Sequence, residues 1–100
     1  MTGTMVRSNT TMQELMTTLP ADEVIARAKS FFSRRSTLYA AFLDREGPGY
    51  CTFRGQGGEE IVIGTAPADG ATRVTGSTYL FDMQVSRFFE TLPAAPVRGT

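Results

Sequence analysis

The sequence predicts an α+β domain in which two helices pack on one face of an antiparallel sheet of four to five strands. Apolar residues recur at helical spacing in two segments, one in the first half of the chain and one near its end. Between these segments the apolar period changes to two, and turns rich in Gly and Pro recur about every ten residues, as in an antiparallel meander. Because an amphipathic helix must cover an apolar surface, the sheet is the expected partner of both helices.

The two predicted helices cover residues 21–34 and about 81–92. Pro20 suits the first helix start, since its missing N–H is not needed there. Pro93 ends the second helix because the residue before a proline is disfavoured in the α conformation. The predicted apolar stripes are Val24, Ile25, Ala28, Phe31 and Phe32 in the first helix, and Phe81, Val85, Phe88, Phe89 and Leu92 in the second.

The predicted strands follow from alternation and from the turns between them. Residues 37–44 are apolar on both faces, which favours a central strand. Residues 11–19 fit helical spacing, but their threonines favour a strand, and a strand is the preferred interpretation. The remaining strands are residues 50–54, 59–64 and 71–78, and the turns are residues 46–49, 55–58 and 67–70.

Composition argues against several classes of function. Ten acidic residues balance ten basic ones, whereas nucleic-acid binding rests on concentrated positive charge. The chain contains no histidine, the commonest general base and metal ligand. Its single cysteine, Cys51, excludes an internal disulfide and a Cys-rich zinc site. We therefore expect no enzymatic activity, no cofactor and no nucleic-acid partner.

The longest apolar run, residues 38–43, is far shorter than the roughly 20 residues of a membrane-spanning helix. No apolar stretch follows Arg7, so the sequence does not predict a secretory signal at this position. The expected location is cytoplasmic, with membrane contact only through a partner.

Three groups of residues could bind a ligand or take part in catalysis, but each has a simpler structural interpretation. Residues 55–58 are Gly-rich, but a strand follows them, so a hairpin turn is favoured over a phosphate-binding loop. Cys51 falls on the apolar side of its strand and lacks a histidine base, which favours a small core residue over a nucleophile. Glu59 and Glu60 are adjacent in a strand and point to opposite faces, so they cannot flank one substrate.

Residues 1–10 and 93–100 are predicted to be polar arms on a single domain of residues 11–92. Arms that order on binding are a common way for a small protein to clasp a large partner. Nine of the ten basic residues are arginines, whose planar guanidinium suits carboxylates and phosphates, although arginines at a helix C-terminus also stabilise the helix itself. The candidate partner-binding residues are Arg7, Phe31, Arg34, Arg35 and Arg98.

Residues 19–24 (LPADEV), and residues 71–75 (ATRVT) followed by the final apolar helix, resemble START-like (polyketide cyclase or Bet v 1-type) domains. The resemblance implies a curved sheet that grips the last helix over an apolar cavity for a lipid, a polyketide or a hormone. It implies no catalytic residue. The expected cavity-lining residues are Phe42, Phe53, Val85 and Phe89.

The preferred functional hypothesis is a non-catalytic accessory subunit that docks on a larger assembly through its arms. One setting is a membrane-extrinsic subunit of a bioenergetic complex, such as a photosynthetic reaction-centre or light-harvesting assembly. The alternative is a START-like module that binds a small apolar ligand. A third hypothesis is homodimerisation through an exposed sheet edge.

Overall fold

A computed structural model describes residues 10–34, 41–55, 57–79 and 81–95. They form a five-stranded antiparallel sheet and two helices, which confirms the predicted α+β class. The elements in chain order are β1 (Thr10–Thr17), α1 (Ala21–Arg34), β2 (Ala41–Gly47), β3 (Tyr50–Gly55), β4 (Glu60–Ala68), β5 (Ala71–Tyr79) and α2 (Asp82–Glu90).

The strands lie in the order β1-β5-β4-β3-β2, and all pairs are antiparallel. Strands β2 to β5 form the predicted meander, and β1 lies beside β5 at one edge. The segment predicted as strand or helix therefore contains a strand. The predicted central position of residues 37–44 is wrong for their described part, because β2 is the other edge of the sheet. Residues 37–40 lie outside the described residues.

Local sequence explains where the elements begin and end. The N–H groups of Glu23 and Val24 donate to the carbonyl of Pro20, which starts α1. The β4–β5 hairpin turns at Asp69 and Gly70, which both have positive φ, as a tight two-residue turn requires. Helix α2 ends at Glu90, two residues before the predicted end, and the Thr91 hydroxyl donates to the carbonyl of Phe88 at 2.6 Å.

Both helices cover the same face of the sheet, α1 over β2, β3 and β4, and α2 over β1 and β5. The core between them is aromatic at its centre. The Phe32 ring lies 5.1 Å from that of Phe53 and 5.3 Å from that of Phe88, measured between ring centroids. The fully or almost fully buried apolar residues are Val24, Ala28, Phe32, Ala41, Cys51, Phe53, Ile61, Ile63, Val74, Phe81, Val85, Phe88 and Leu92.

A β-bulge in β2 decides which way the edge strand presents its side chains. Near the turn, Glu46 is opposite Cys51 and Arg45 is opposite Thr52. Continuing that count would place Phe42 opposite Gly55, on the side of Phe53. The register shifts between Leu43 and Arg45, however, so Phe42 lies opposite Arg54 instead. One extra residue thus turns Phe42 to the face away from the helices.

The chain returns to β1 after α2. The Ala95 N–H donates to the Met16 carbonyl at 2.8 Å, and the Thr17 hydroxyl donates to the Pro93 carbonyl at 2.6 Å. Ala94 forms an antiparallel bridge with Thr17. The first three residues of the predicted arm 93–100 therefore belong to the sheet edge. Residues 1–9 and 96–100 lie outside the described residues, and residue 10 is the first of β1.

Candidate functional site

The side of the sheet that faces away from both helices is exposed, and we call it the open face. Its residues alternate along each strand with the buried ones, as the pleat of a sheet requires. The open face includes Met12, Glu14 and Met16 from β1, Ala71, Arg73, Thr75, Ser77 and Tyr79 from β5, Glu60, Val62, Gly64, Ala66 and Ala68 from β4, Tyr50, Thr52 and Arg54 from β3, and Phe42, Arg45 and Gly47 from β2.

Large apolar side chains are concentrated on the open face. The described residues include six exposed large hydrophobic side chains, and four of them lie there: Met12 (69% exposed), Phe42 (56%), Tyr50 (39%) and Tyr79 (38%). The two others are Leu43, at the edge strand β2, and Met83, on α2. Tyr, Phe and Met are enriched in protein–protein interfaces, so this distribution is typical of a contact surface.

The strand register gives the open face a low centre and a higher rim. Ser77, Val62 and Thr52 lie side by side on the three inner strands, and the next row contains Thr75 and Gly64. These side chains are small. The large side chains of Met12, Tyr79, Tyr50 and Phe42 lie around them. A wide, shallow surface of this kind suits another protein surface better than a small molecule, which needs a concave site.

Charges of both signs lie on the open face and at its β2 edge. Arg73 pairs with Glu14 at 2.8 Å, and Arg54 pairs with Asp44 at 3.4 Å. All four side chains are well exposed, so each pair contributes little to folding. These charges remain available to a partner. The mixture of charges agrees with the neutral composition of the chain.

The four residues predicted to line an apolar cavity are not brought together. Phe53 is fully buried on the helix side, and Val85 and Phe89 reach the sheet from α2, whereas Phe42 lies on the open face. A Cβ atom on Gly76 of β5 would lie 2.7 Å from Val85 Cγ1, so α2 packs directly on the sheet backbone at this point. The START-like resemblance and its ligand stay predictions.

The predicted partner-binding residues lie away from the open face or outside the described residues. Phe31 is half-buried between the helices, with its ring centroid 5.1 Å from that of Phe32 and 5.5 Å from that of Phe88. Arg34 is the last residue of α1. Arg7, Arg35 and Arg98 lie outside the described residues. A role for these arginines stays a prediction.

Gly57 and Gly58 of the predicted turn 55–58 lie between β3, which ends at Gly55, and β4, and residue 56 lies outside the described residues. The Glu59 carboxylate accepts a hydrogen bond from the Gly57 N–H at 2.9 Å, and the Glu59 carbonyl accepts one from the Gly55 N–H at 2.8 Å. Glu59 therefore holds the turn. Glu60 begins β4 and is exposed.

Cys51 lies in the core under α1, as the sequence predicts. Burial raises the pKa of its thiol to about 12, although the nearby Lys29 cation opposes the shift. Lys29 Nζ reaches from α1 to Glu46 Oε1 of β2 at 2.9 Å, and this hydrogen bond and charge raise the pKa of Lys29. The Cys51 thiol is consequently protonated at neutral pH and is a poor nucleophile.

We expect the buried Cys51 thiol to lower the free energy of unfolding at high pH. The unfolded thiol ionises near its ordinary pKa of about 9, whereas the folded thiol keeps its proton up to about pH 12. The unfolded state therefore loses protons first, and the free energy of unfolding falls as the pH rises through this interval, while it is unaffected below it. Urea unfolding of the wild type and of Cys51→Ala at pH 7.5 and 10.5 checks this. The prediction would be contradicted if the free energies of unfolding of the wild type and the variant differed by the same amount at both pH values.

Among the described residues, no three His, Cys, Asp or Glu side chains form a group that could hold a metal ion. None of the helices in the described ranges is long and apolar enough to cross a membrane. Comparisons with protein-family models, with curated proteins and with solved structures gave no significant match.

Proposed function

We propose that this chain is a non-catalytic interaction subunit that docks on a larger protein assembly through its open face. One observation carries the proposal: in the described structure neither helix covers this sheet face, and four of the six exposed large hydrophobic side chains lie on it. Exposed large apolar side chains that are concentrated on one face of a small domain are typical of a contact surface. The expected partner surface is broad, with small side chains opposite the centre of the open face and apolar and charged side chains opposite its rim.

The size of the open face supports a protein partner. Five strands at a spacing of about 4.8 Å make it about 24 Å wide, and its longest strands extend for about 30 Å. An area on the order of 700 Å² is close to the roughly 800 Å² that each partner contributes to a standard interface. On the helix side, α2 packs tightly on the sheet, and Val85 approaches the backbone of Gly76. A partner therefore has access to the sheet from the open face.

The terminal segments are part of the proposal. Residue 9 precedes Thr10 at the start of β1, and residue 96 follows Ala95, which is hydrogen-bonded to Met16 of the same strand. Both segments thus join the sheet at one edge of the open face. We include residues 1–9 and 96–100, with Arg7 and Arg98, as segments that add contacts to the partner.

The proposed setting is a membrane-extrinsic subunit of a bioenergetic complex, for example a photosynthetic reaction-centre or light-harvesting assembly. This setting depends on the proposed docking role, and identification of the partner tests it. An assembly of another kind would refute the setting and leave the docking proposal intact.

Native purification tests the proposal. The tagged chain is expressed in its own host at natural levels and the lysate is separated by size without detergent and with mild detergent. We expect the chain to elute with a larger assembly at constant stoichiometry, and a version trimmed to residues 10–95 to be recovered with it at lower yield. A chain that elutes alone at its own mass under both conditions would contradict docking. An undiminished yield for the trimmed version would contradict only the role of the terminal segments.

A further inference from the structure

The two edges of the sheet differ in how well they are protected against pairing with another strand. Edge strands are normally blunted by bulges, charges or prolines. Strand β2 has such features, since it is bulged next to Asp44 and its residues 44–46 are all charged. Strand β1 pairs with β5 in unbroken register over eight residues, contains no glycine or proline, and has one charged residue, Glu14.

The outer edge of β1 already accepts one antiparallel segment. The Met16 carbonyl receives the Ala95 N–H at 2.8 Å, and the Thr18 N–H donates to the Pro93 carbonyl at 3.4 Å. The backbone N–H and C=O groups of successive residues in a strand point alternately to its two sides. The Met16 carbonyl points to the outer side of β1, so every second residue from Met16 has its backbone groups on that side. The N–H and C=O groups of Met12 and Glu14 point the same way, and no described residue pairs with them.

We propose that residues 10–14 of β1 pair antiparallel with the same residues of a second copy of this chain, about a two-fold axis at Met12. Ala95 occupies the edge at Met16 and therefore stops the partner strand there. The longest pairing that remains among the described residues places Thr10 opposite Glu14 and Met12 opposite Met12. This register forms about six backbone hydrogen bonds and is isologous, so it closes as a dimer.

Side chains in this register favour a second copy of the chain. Met12 is the most exposed large hydrophobic residue in the described structure, at 69%, and the axis brings two such side chains together. Glu14 meets Thr10 rather than the other Glu14, so the pairing opposes no like charges. The dimer joins two open faces into one continuous surface. The inference does not depend on the proposed function.

Sedimentation velocity of the purified full chain tests the dimer. Five paired residues make a small interface, so the association is expected to be weak and to appear as the concentration rises to about 100 µM. Met12→Lys places two cations against each other at the axis and is expected to weaken dimerisation at least about tenfold. Met83→Lys is the matched control, because Met83 is similarly exposed at 62% but lies on α2. It should leave dimerisation unchanged.

Oxidative cross-linking gives a second, independent readout. Hydrogen-bonded partners in an antiparallel pair have Cα atoms about 5.5 Å apart, which a disulfide can span. Met12→Cys is therefore expected to form a covalent dimer on mild oxidation, since Cys51 is buried and does not compete. Met83→Cys is expected to remain largely unlinked. A wild type that stays monomeric, dimerisation that survives Met12→Lys, or equal cross-linking of the two cysteine variants would each overturn the inference.

Discussion

Replacing Phe32 by alanine is expected to lower the free energy of unfolding by about 3–5 kcal/mol. Phe32 is fully buried, and its ring lies near those of Phe53 on β3 and Phe88 on α2. One side chain thus connects α1 to the sheet and to the other helix. A domain of this size is stable by only about 5–15 kcal/mol, so the loss is a large fraction of the total. Urea unfolding followed by circular dichroism measures it.

Phe42→Ala is the matched control, because it deletes the same atoms from a ring that is 56% exposed on the open face. We expect this substitution to change stability by about 0.5 kcal/mol or less. Phe32→Leu keeps much of the side-chain volume, so its loss of stability should lie between those of Phe32→Ala and Phe42→Ala. Similar losses of stability for Phe32→Ala and Phe42→Ala would contradict a sheet that the helices cover on one face and leave exposed on the other.

Val62→Lys is expected to weaken docking on the partner by about tenfold to a hundredfold, or about 1.4–2.7 kcal/mol. Val62 lies on β4, the middle strand, between Ser77 and Thr52 on the open face. Charged side chains are depleted from the centre of protein interfaces because they must be desolvated there. In the free chain the lysine extends into solvent, so we expect the fold to be retained.

The binding constant of each variant for the identified assembly is measured by biolayer interferometry. Met83→Lys introduces the same charge on α2 and is expected to bind as the wild type does. Unfolding curves of both variants show that the fold is unchanged. Equal weakening by the two substitutions would indicate a nonspecific effect of charge, and no weakening by Val62→Lys would remove the open face from the interface.

Much of the fold is predictable because its signals are local. The stripe that includes Val24, Ala28 and Phe32 marks α1 without reference to any other segment. The alternation around Cys51 and Phe53 also assigns the buried side of β3, and the Asp69-Gly70 turn marks a hairpin. In β5, Arg73, Thr75 and Ser77 alternate with buried residues, which is the pattern of a strand with one exposed side.

Strand order and the candidate site depend on contacts between distant segments. Nothing in residues 37–44 indicates that β1 takes the place beside β5, which leaves β2 at the edge. The bulge between Leu43 and Arg45 reverses the side on which Phe42 lies, and it has no clear sequence signal. Alternation alone cannot show which sheet face the helices cover. The grouping of Tyr50, Tyr79 and Met12 therefore becomes visible only once the strands are in register.

Hydroxyl-radical footprinting of the purified assembly tests most directly whether the chain docks through its open face. Phe42, Tyr50 and Tyr79 on that face and Met83 on α2 are all exposed in the described structure and all react with radicals, so one experiment compares both sides. Relative to the isolated chain, the three aromatic side chains should lose most of their oxidation in the complex while Met83 keeps its own. Protection of Met83 with undiminished oxidation of the three aromatic residues would place the partner on the helices and contradict the account.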